Sequence, residues 1–209
     1  MPSLFRIRYV FKPLIRLIAK GLARLGLTPN IATIIMLCFS FFCLISIALF
    51  RNLLCFAILV FVTGIWDGLD GQIARLTNKA TKLGGFFDSF MDRISEFFIY
   101  LGLLIFFQNN ILWHLIDVKL VILVSFISSI MISYCRARAE PFFKGDFDIG
   151  LMARSERFFY IFITMILAHF IGFASEFLFV FMWLVLGTFI FRLFKIYYLI
   201  KNKEKEVNE

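Results

Sequence analysis

Histidine is nearly absent from this sequence: two residues in 209, His114 and His169, far apart and outside any pattern. Cysteine is scarce as well. Cys38, Cys43, Cys55 and Cys135 lie in or beside apolar segments with no paired spacing, which argues against a disulfide framework or a zinc site and for small core residues. The N-terminus lacks a clean apolar run followed by a small-residue cleavage site, so no signal peptide is read there. No separate soluble domain and no internal repeat is visible. What fills the chain is apolar: 61% hydrophobic residues, 30 of them Phe, and a mean hydropathy of +0.90. No soluble domain of this size needs so much apolar surface. The sequence predicts an all-α integral membrane protein.

Six apolar segments are each close to the roughly 20 residues needed to cross a bilayer. They cover about 31–50, 53–75, 85–107, 118–139, 151–173 and 176–199, and a charged tail, 200–209, follows. Residues 3–25 differ. Arg6, Arg8, Lys12, Arg16, Lys20 and Arg24 alternate with Leu, Ile, Val and Phe at near-helical spacing. That segment is too charged to span and is expected to lie as an amphipathic helix in the membrane interface. The whole chain, 1–209, thus reads as one membrane-embedded domain.

Lysine and arginine are missing from one side of this layout. Of the 22, only Arg51 and Lys119 fall on the side away from the termini. Positive residues mark the cytoplasmic face. Both termini are therefore expected in the cytoplasm of a multi-pass cell-membrane protein. The net charge of +8 is read as membrane orientation, and no nucleic-acid partner is expected.

Acids are few, and four of them sit in one stretch: Asp67, Asp70, Asp88 and Asp92. Residues three or four apart share a helix face. Asp67 and Asp70 then point one way along the second segment, Asp88 and Asp92 one way along the third. The residues from Thr77 to Phe86 include Gly84 and Gly85 and allow a turn that brings both pairs to one point. Four unneutralised carboxylates in an apolar bundle repel and are costly to desolvate. A hard divalent cation removes that cost, and the stretch holds neither His nor Cys, so Mg²⁺, Mn²⁺ or Ca²⁺ is favoured over Zn²⁺. Simple pairing with nearby Arg75, Arg93, Arg136 or Arg138 explains one such acid more readily than four. Gly68 and Gly71 between them suggest close approach of another group to the backbone.

The stretch reads D-x2-D-G-x2-A-R-x8-G-x3-D-x3-D from Asp67 to Asp92. This resembles the signature of the CDP-alcohol phosphotransferases, with every fixed position filled. The six-segment layout, the amphipathic N-terminal segment and Thr28-Pro29-Asn30 are similar to that family too. The resemblance implies that an alcohol hydroxyl attacks the lipid-side phosphate of CDP-diacylglycerol or CDP-archaeol, and CMP leaves. It implies Asp67, Asp70 and Asp88 as ligands of a pair of divalent ions, Mg²⁺ or Mn²⁺. Asp92 is implied as general base and further ligand or neighbour. Asn30, Thr33, Gly71, Arg75 and Thr81 are implied as nucleotide contacts. A homodimer is a reasonable expectation.

Three stretches point to inositol phosphate as the acceptor. Asp88-Ser89-Phe90-Met91-Asp92-Arg93 resembles the D-S-x-x-D-R of members using that acceptor. Ser133 to Glu140, reading S-Y-C-R-A-R-A-E, is similar to the S-Y-x-(K/R)-A-R-A-E of the same subgroup. Arg154-Ser155-Glu156-Arg157 is similar to its E-R-x-E-R, with Ala153 in place of the first acid. An acceptor carrying phosphate needs fixed cations, and arginine binds it bidentately. Arg136, Arg154, Arg157 and Arg192 are expected to supply them. Glycerol 3-phosphate is the alternative acceptor, and serine a more distant one. A divalent-cation transporter is the reading from another class; it predicts acids spread across membrane depth, not four near one face.

Overall fold

A computed structural model describes residues 7–140 and 150–208. The N-terminal helix α1 covers Ile7–Arg24, and α2 covers Pro29–Ala48. The second apolar segment is two helices, α3 at Leu53–Asp67 and α4 at Leu69–Leu76. Then follow α5 (Lys82–Phe106), a hairpin of β1 (Ile111–Leu112) and β2 (Ile116–Asp117), α6 (Val118–Ala139), α7 (Arg154–Ile171) and α8 (Ala174–Asn208). The chain is nearly all helix, as the hydropathy pattern implies. The segment expected as a loop at 108–117 contains the hairpin, with Ile111 opposite Asp117 and Leu112 opposite Ile116. The segment 141–149, also expected as a loop, lies outside the described residues.

Local chemistry sets the helix starts. The first backbone N–H groups of a helix have no partner within it, and a side-chain oxygen just ahead satisfies one. Thr28 accepts from the Ile31 N–H at 3.4 Å, with Pro29 pre-set for the first turn of α2. Asn52 caps α3 through Cys55 N–H at 2.9 Å, Thr81 caps α5 through Gly84 N–H at 3.0 Å, and Asp117 caps α6 through Lys119 N–H at 2.9 Å.

Among the described residues, four helical stretches are long and apolar enough to cross a membrane: 29–48, 53–76, 118–139 and 174–202. The main core lies between α2, α3, α5, α6, α7 and α8, around Phe56, Leu103, Val121, Phe158, Met165 and Phe181. A smaller core seats α1 against α4 through Ile15, Ala19, Ala32, Leu69 and Ile73. The remaining side of α1 carries exposed Val10 and Leu17 beside exposed Lys12, Arg16 and Lys20. Two of the four cysteines, Cys43 and Cys135, are buried as expected; Cys38 and Cys55 are exposed, because they lie on the outward sides of α2 and α3.

The packing of α2 on α5 depends on Gly102. A Cβ there would stand 2.7 Å from Ile47 Cγ2 and 3.4 Å from Leu44 Cα. Gly102→Leu is expected to force the two helices apart and to destabilise the fold by about 1–3 kcal/mol, the usual cost of overpacking. Thermal unfolding in detergent checks this; an unchanged midpoint contradicts it.

Candidate active site

The break between α3 and α4 falls inside the acidic stretch. Gly68 ends α3 by donating its N–H to the Ile65 carbonyl at 3.1 Å, and α4 restarts at Leu69. A side chain at 68 would meet Ile15 of α1 at 3.0 Å, so glycine lets α1 close over the break. Asp67 therefore ends one helix and Asp70 sits in the first turn of the next. Across from them, α5 presents Asp88 and, one turn on, Asp92.

Asp70 faces Asp88, and Asp67 faces Asp92. Asp70 is 4% exposed; it accepts from Thr33 Oγ1 at 2.9 Å and from the Gly71 N–H. Asp67 and Asp92 both ion-pair with the Arg154 guanidinium, which enters from the first turn of α7. Arg154 also donates to Ser95 Oγ at 2.7 Å and lies 5.0 Å over the Phe158 ring. Ser95 is one turn beyond Asp92 on α5. Arg154 is thus gripped from both sides of the site.

Two of the site's buried oxygens, Asp88 Oδ1 and Asp92 Oδ1, have no hydrogen-bond partner, the second being ion-paired with Arg154. Four carboxylates share this corner with one embedded arginine, and buried charge left unbalanced is expensive. Asp70 and Asp88, face to face, supply only oxygen donors. These residues fit a hard divalent cation. Among the described residues, no three acids, histidines or cysteines come close enough together to hold a metal ion between them; the expected convergence of four acids at one point is seen as two facing pairs.

A cavity of about 600 Å³ opens beside Asp67 and Asp92. Arg75, Arg136, Arg154 and Gln72 make its polar wall, and Phe61 and Phe158 its apolar one. Tyr9, Phe11, Lys12 and Ile15 of α1 close another side. The cavity is therefore half charged and half greasy, and α1 forms one of its walls.

The other expected site residues fall into three groups. Thr33 and Gly71 both donate to Asp70, and Arg75 lines the cavity with Asp67 and Asp92. Arg75 folds back over the turn at Gly71, where a Cβ would meet its guanidinium at 3.5 Å, an ordinary contact. Thr81 and Asn30 flank Gly84 at the start of α5, at 3.0 and 3.9 Å from where its side chain would begin. Arg136 and Arg154 line the cavity, Arg136 being exposed and paired with Glu140 at 3.0 Å. Arg157 and Arg192 stand apart. Arg157 is 1% exposed and spends its guanidinium on Glu96, at 2.8 and 3.0 Å, and on the Met152 carbonyl at 3.0 Å. Arg192 is 2% exposed and donates to the Ile132 carbonyl of α6 at 3.1 Å. Gln72, Ser95, Glu96, Lys12 and Tyr9 were not anticipated. Ser95 and Glu96 follow Asp92 at three and four residues, the same spacing that pairs Asp88 with Asp92, so extending that face by one turn would have found them.

A family model described as CDP-alcohol phosphatidyltransferase matches residues 26–194. The chain is 37% identical over 161 residues to the archaetidylinositol phosphate synthase of Pyrococcus horikoshii, covering 77% of this chain and 81% of that one. It is 35% identical over 156 residues to the phosphatidylinositol phosphate synthase of Mycobacterium tuberculosis, covering 73% of this chain and 69% of that one. The crystal structure of the latter with CDP-DAG bound superposes with a TM-score of 0.74 at 27% identity, over 88% of this chain and 94% of that chain. A second structure of it, in complex with manganese and citrate, also has a TM-score of 0.74, over 88% of each chain.

Proposed function

Because the chain belongs to the CDP-alcohol phosphatidyltransferase family, we propose that it transfers a phosphatidyl or archaetidyl group from a CDP-linked lipid to a hydroxyl of inositol phosphate, releasing CMP. The observation that carries this is the pairing of Asp67 and Asp70 with Asp88 and Asp92 beside an arginine-walled cavity. The enzyme is a membrane-bound transferase that works with a divalent metal. The manganese complex and the CDP-DAG complex of the mycobacterial relative support both points.

In this reading Asp67, Asp70 and Asp88 hold two divalent ions, Mg²⁺ or Mn²⁺, with Asp92 alongside. The ions, when bound, neutralise the pyrophosphate and the departing CMP. Arg75, Asn30, Thr33, Gly71 and Thr81 seat the nucleotide. Arg154 and Arg136 take the phosphate of the acceptor, which orients its hydroxyl toward the donor. Asp92 accepts the hydroxyl proton as the oxygen bonds to the lipid-side phosphorus and the bond to CMP breaks. A neutral hydroxyl is a poor nucleophile, so a carboxylate in reach of its proton lowers the barrier. Arg157 is not assigned to the acceptor, since Glu96 already occupies its guanidinium.

The less apolar α5 and α7 cross the bilayer with the four more apolar stretches, giving six spans. The chain acts as one domain, α1 rests in the interface, and the termini and acids face the cytoplasm of a cell membrane. A homodimer is part of the same reading. Glycerol 3-phosphate is the second acceptor to test, because it too needs fixed cations. Transport of divalent cations is disfavoured by the position of all four acids at one end of their helices, beside Arg154.

The test is a transfer assay on purified protein in liposomes. CDP-diacylglycerol or CDP-archaeol is supplied with Mg²⁺ or Mn²⁺, and inositol 1-phosphate, glycerol 3-phosphate and serine are offered separately. Metal-dependent CMP release is expected with inositol phosphate. Release with glycerol 3-phosphate alone would overturn the acceptor and leave the acids' role intact.

A further inference from the structure

Beneath the acids, the bundle contains a second charged contact that the reaction does not use. Glu96 and Arg157 are each 1% exposed. The Arg157 guanidinium meets both oxygens of Glu96, and its third contact holds the Met152 carbonyl, just ahead of α7. Glu96 lies one turn past Asp92 on α5; Arg157 lies one turn past Arg154 on α7. The two helices are therefore joined by two rungs at the same spacing. The upper rung is Asp92 and Ser95 on Arg154, and the lower is Glu96 on Arg157.

Only the lower rung is sealed from the cavity. The upper one lies in its wall, where Arg154 must trade contacts with substrate. Something else has to keep the start of α7 in register while that happens. The Ala153 cap of α7 makes no side-chain hydrogen bond, so the usual device for fixing a helix start is missing. The Met152 carbonyl, fastened to Arg157, takes its place.

We infer that Glu96 and Arg157 are positioning residues for the acceptor: their buried ion pair locks the first turn of α7 so that Arg154 reaches the acceptor phosphate. This rests on the reading of Arg154 as a phosphate ligand. Neither Glu96 nor Arg157 touches substrate. A buried pair of this kind is weak evidence for stability, since its desolvation cost offsets much of its attraction. Its value lies in geometry, because the two parallel hydrogen bonds of one bidentate pair fix both distance and angle.

The experiment measures both Michaelis constants and Mn²⁺ affinity for wild type, Glu96→Gln and the paired variant Glu96→Met with Arg157→Met. The paired variant removes both charges at similar volume, so no lone buried charge is left to unfold the protein. Thermal melting confirms that it is folded. The expected result is a KM for inositol phosphate raised at least tenfold in both variants, with KM for CDP-lipid and Mn²⁺ affinity within twofold of wild type. A purely structural role would lower the melting point and move all constants together. A folded paired variant with an unchanged acceptor KM overturns the inference. Failure of the underlying reading shows separately: wild type then turns over glycerol 3-phosphate and not inositol phosphate, and the same split is measured with that acceptor.

Discussion

Asp92→Asn leaves the protein folded and metal-loaded but lowers CMP release by about 10²–10⁴-fold, the share that a positioned proton acceptor contributes. The amide fills the space of the carboxylate, so α5 keeps its course. Arg154 loses one of its two acids yet retains Asp67 and the 2.7 Å bond to Ser95. Asp70, which faces Asp88 on the other side of the corner, is untouched. Donor binding and most of the metal affinity therefore persist, while the hydroxyl has no base. Turnover at saturating donor and acceptor, with Mn²⁺ titrated calorimetrically on the same preparation, separates the two effects. Near-normal turnover would remove Asp92 from the proton transfer.

Stripping divalent ions with a chelator is expected to drop CMP release to background, and added Mn²⁺ or Mg²⁺ to restore it. Asp70→Asn and Asp88→Asn should not be restored. The physical cause is visible without any assay: Asp70 and Asp88 confront each other in a buried corner, and Asp88 Oδ1 has no hydrogen-bond partner. An ion bound there stabilises the folded state by mass action, about 2.7 kcal/mol at a hundredfold excess over its dissociation constant. The melting midpoint of wild type should thus climb with Mn²⁺, and that of Asp70→Asn should climb much less. Equal shifts in the two proteins would place the ion elsewhere.

The acids were legible before any coordinates because two regularities coincide. Carboxylates are rare in apolar segments, and spacing of three or four residues puts them on one helix face. The helical segments were legible from hydropathy alone. The break at Gly68 was not: residues 53–75 read as one continuous segment, and the packing of Ile15 against Gly68 comes from a different part of the chain. The arginines show the limit most clearly. Arg154 and Arg157 sit three residues apart on the same helix, and the sequence offers no ground to separate them. One faces a cavity and two aspartates; the other faces Glu96 in a sealed interior. The difference belongs to α5, not to α7, and pairings across the bundle are not encoded in local spacing. The exposed Cys38 and Cys55 make the same point for apolar helices, whose outward sides are as greasy as their inward ones.

Gly68 also bears on how much this architecture tolerates. The Cδ1 methyl of Ile15 stands 3.0 Å from where a side chain at 68 would start, so a single added carbon presses on α1, which lines the cavity, and not on the larger core. A side chain at that position is limited by the fit of α1 against the break between α3 and α4. An engineer who lengthens, tags or replaces α1 is remodelling a wall of the reaction chamber, however peripheral that helix looks in a drawing of the spans.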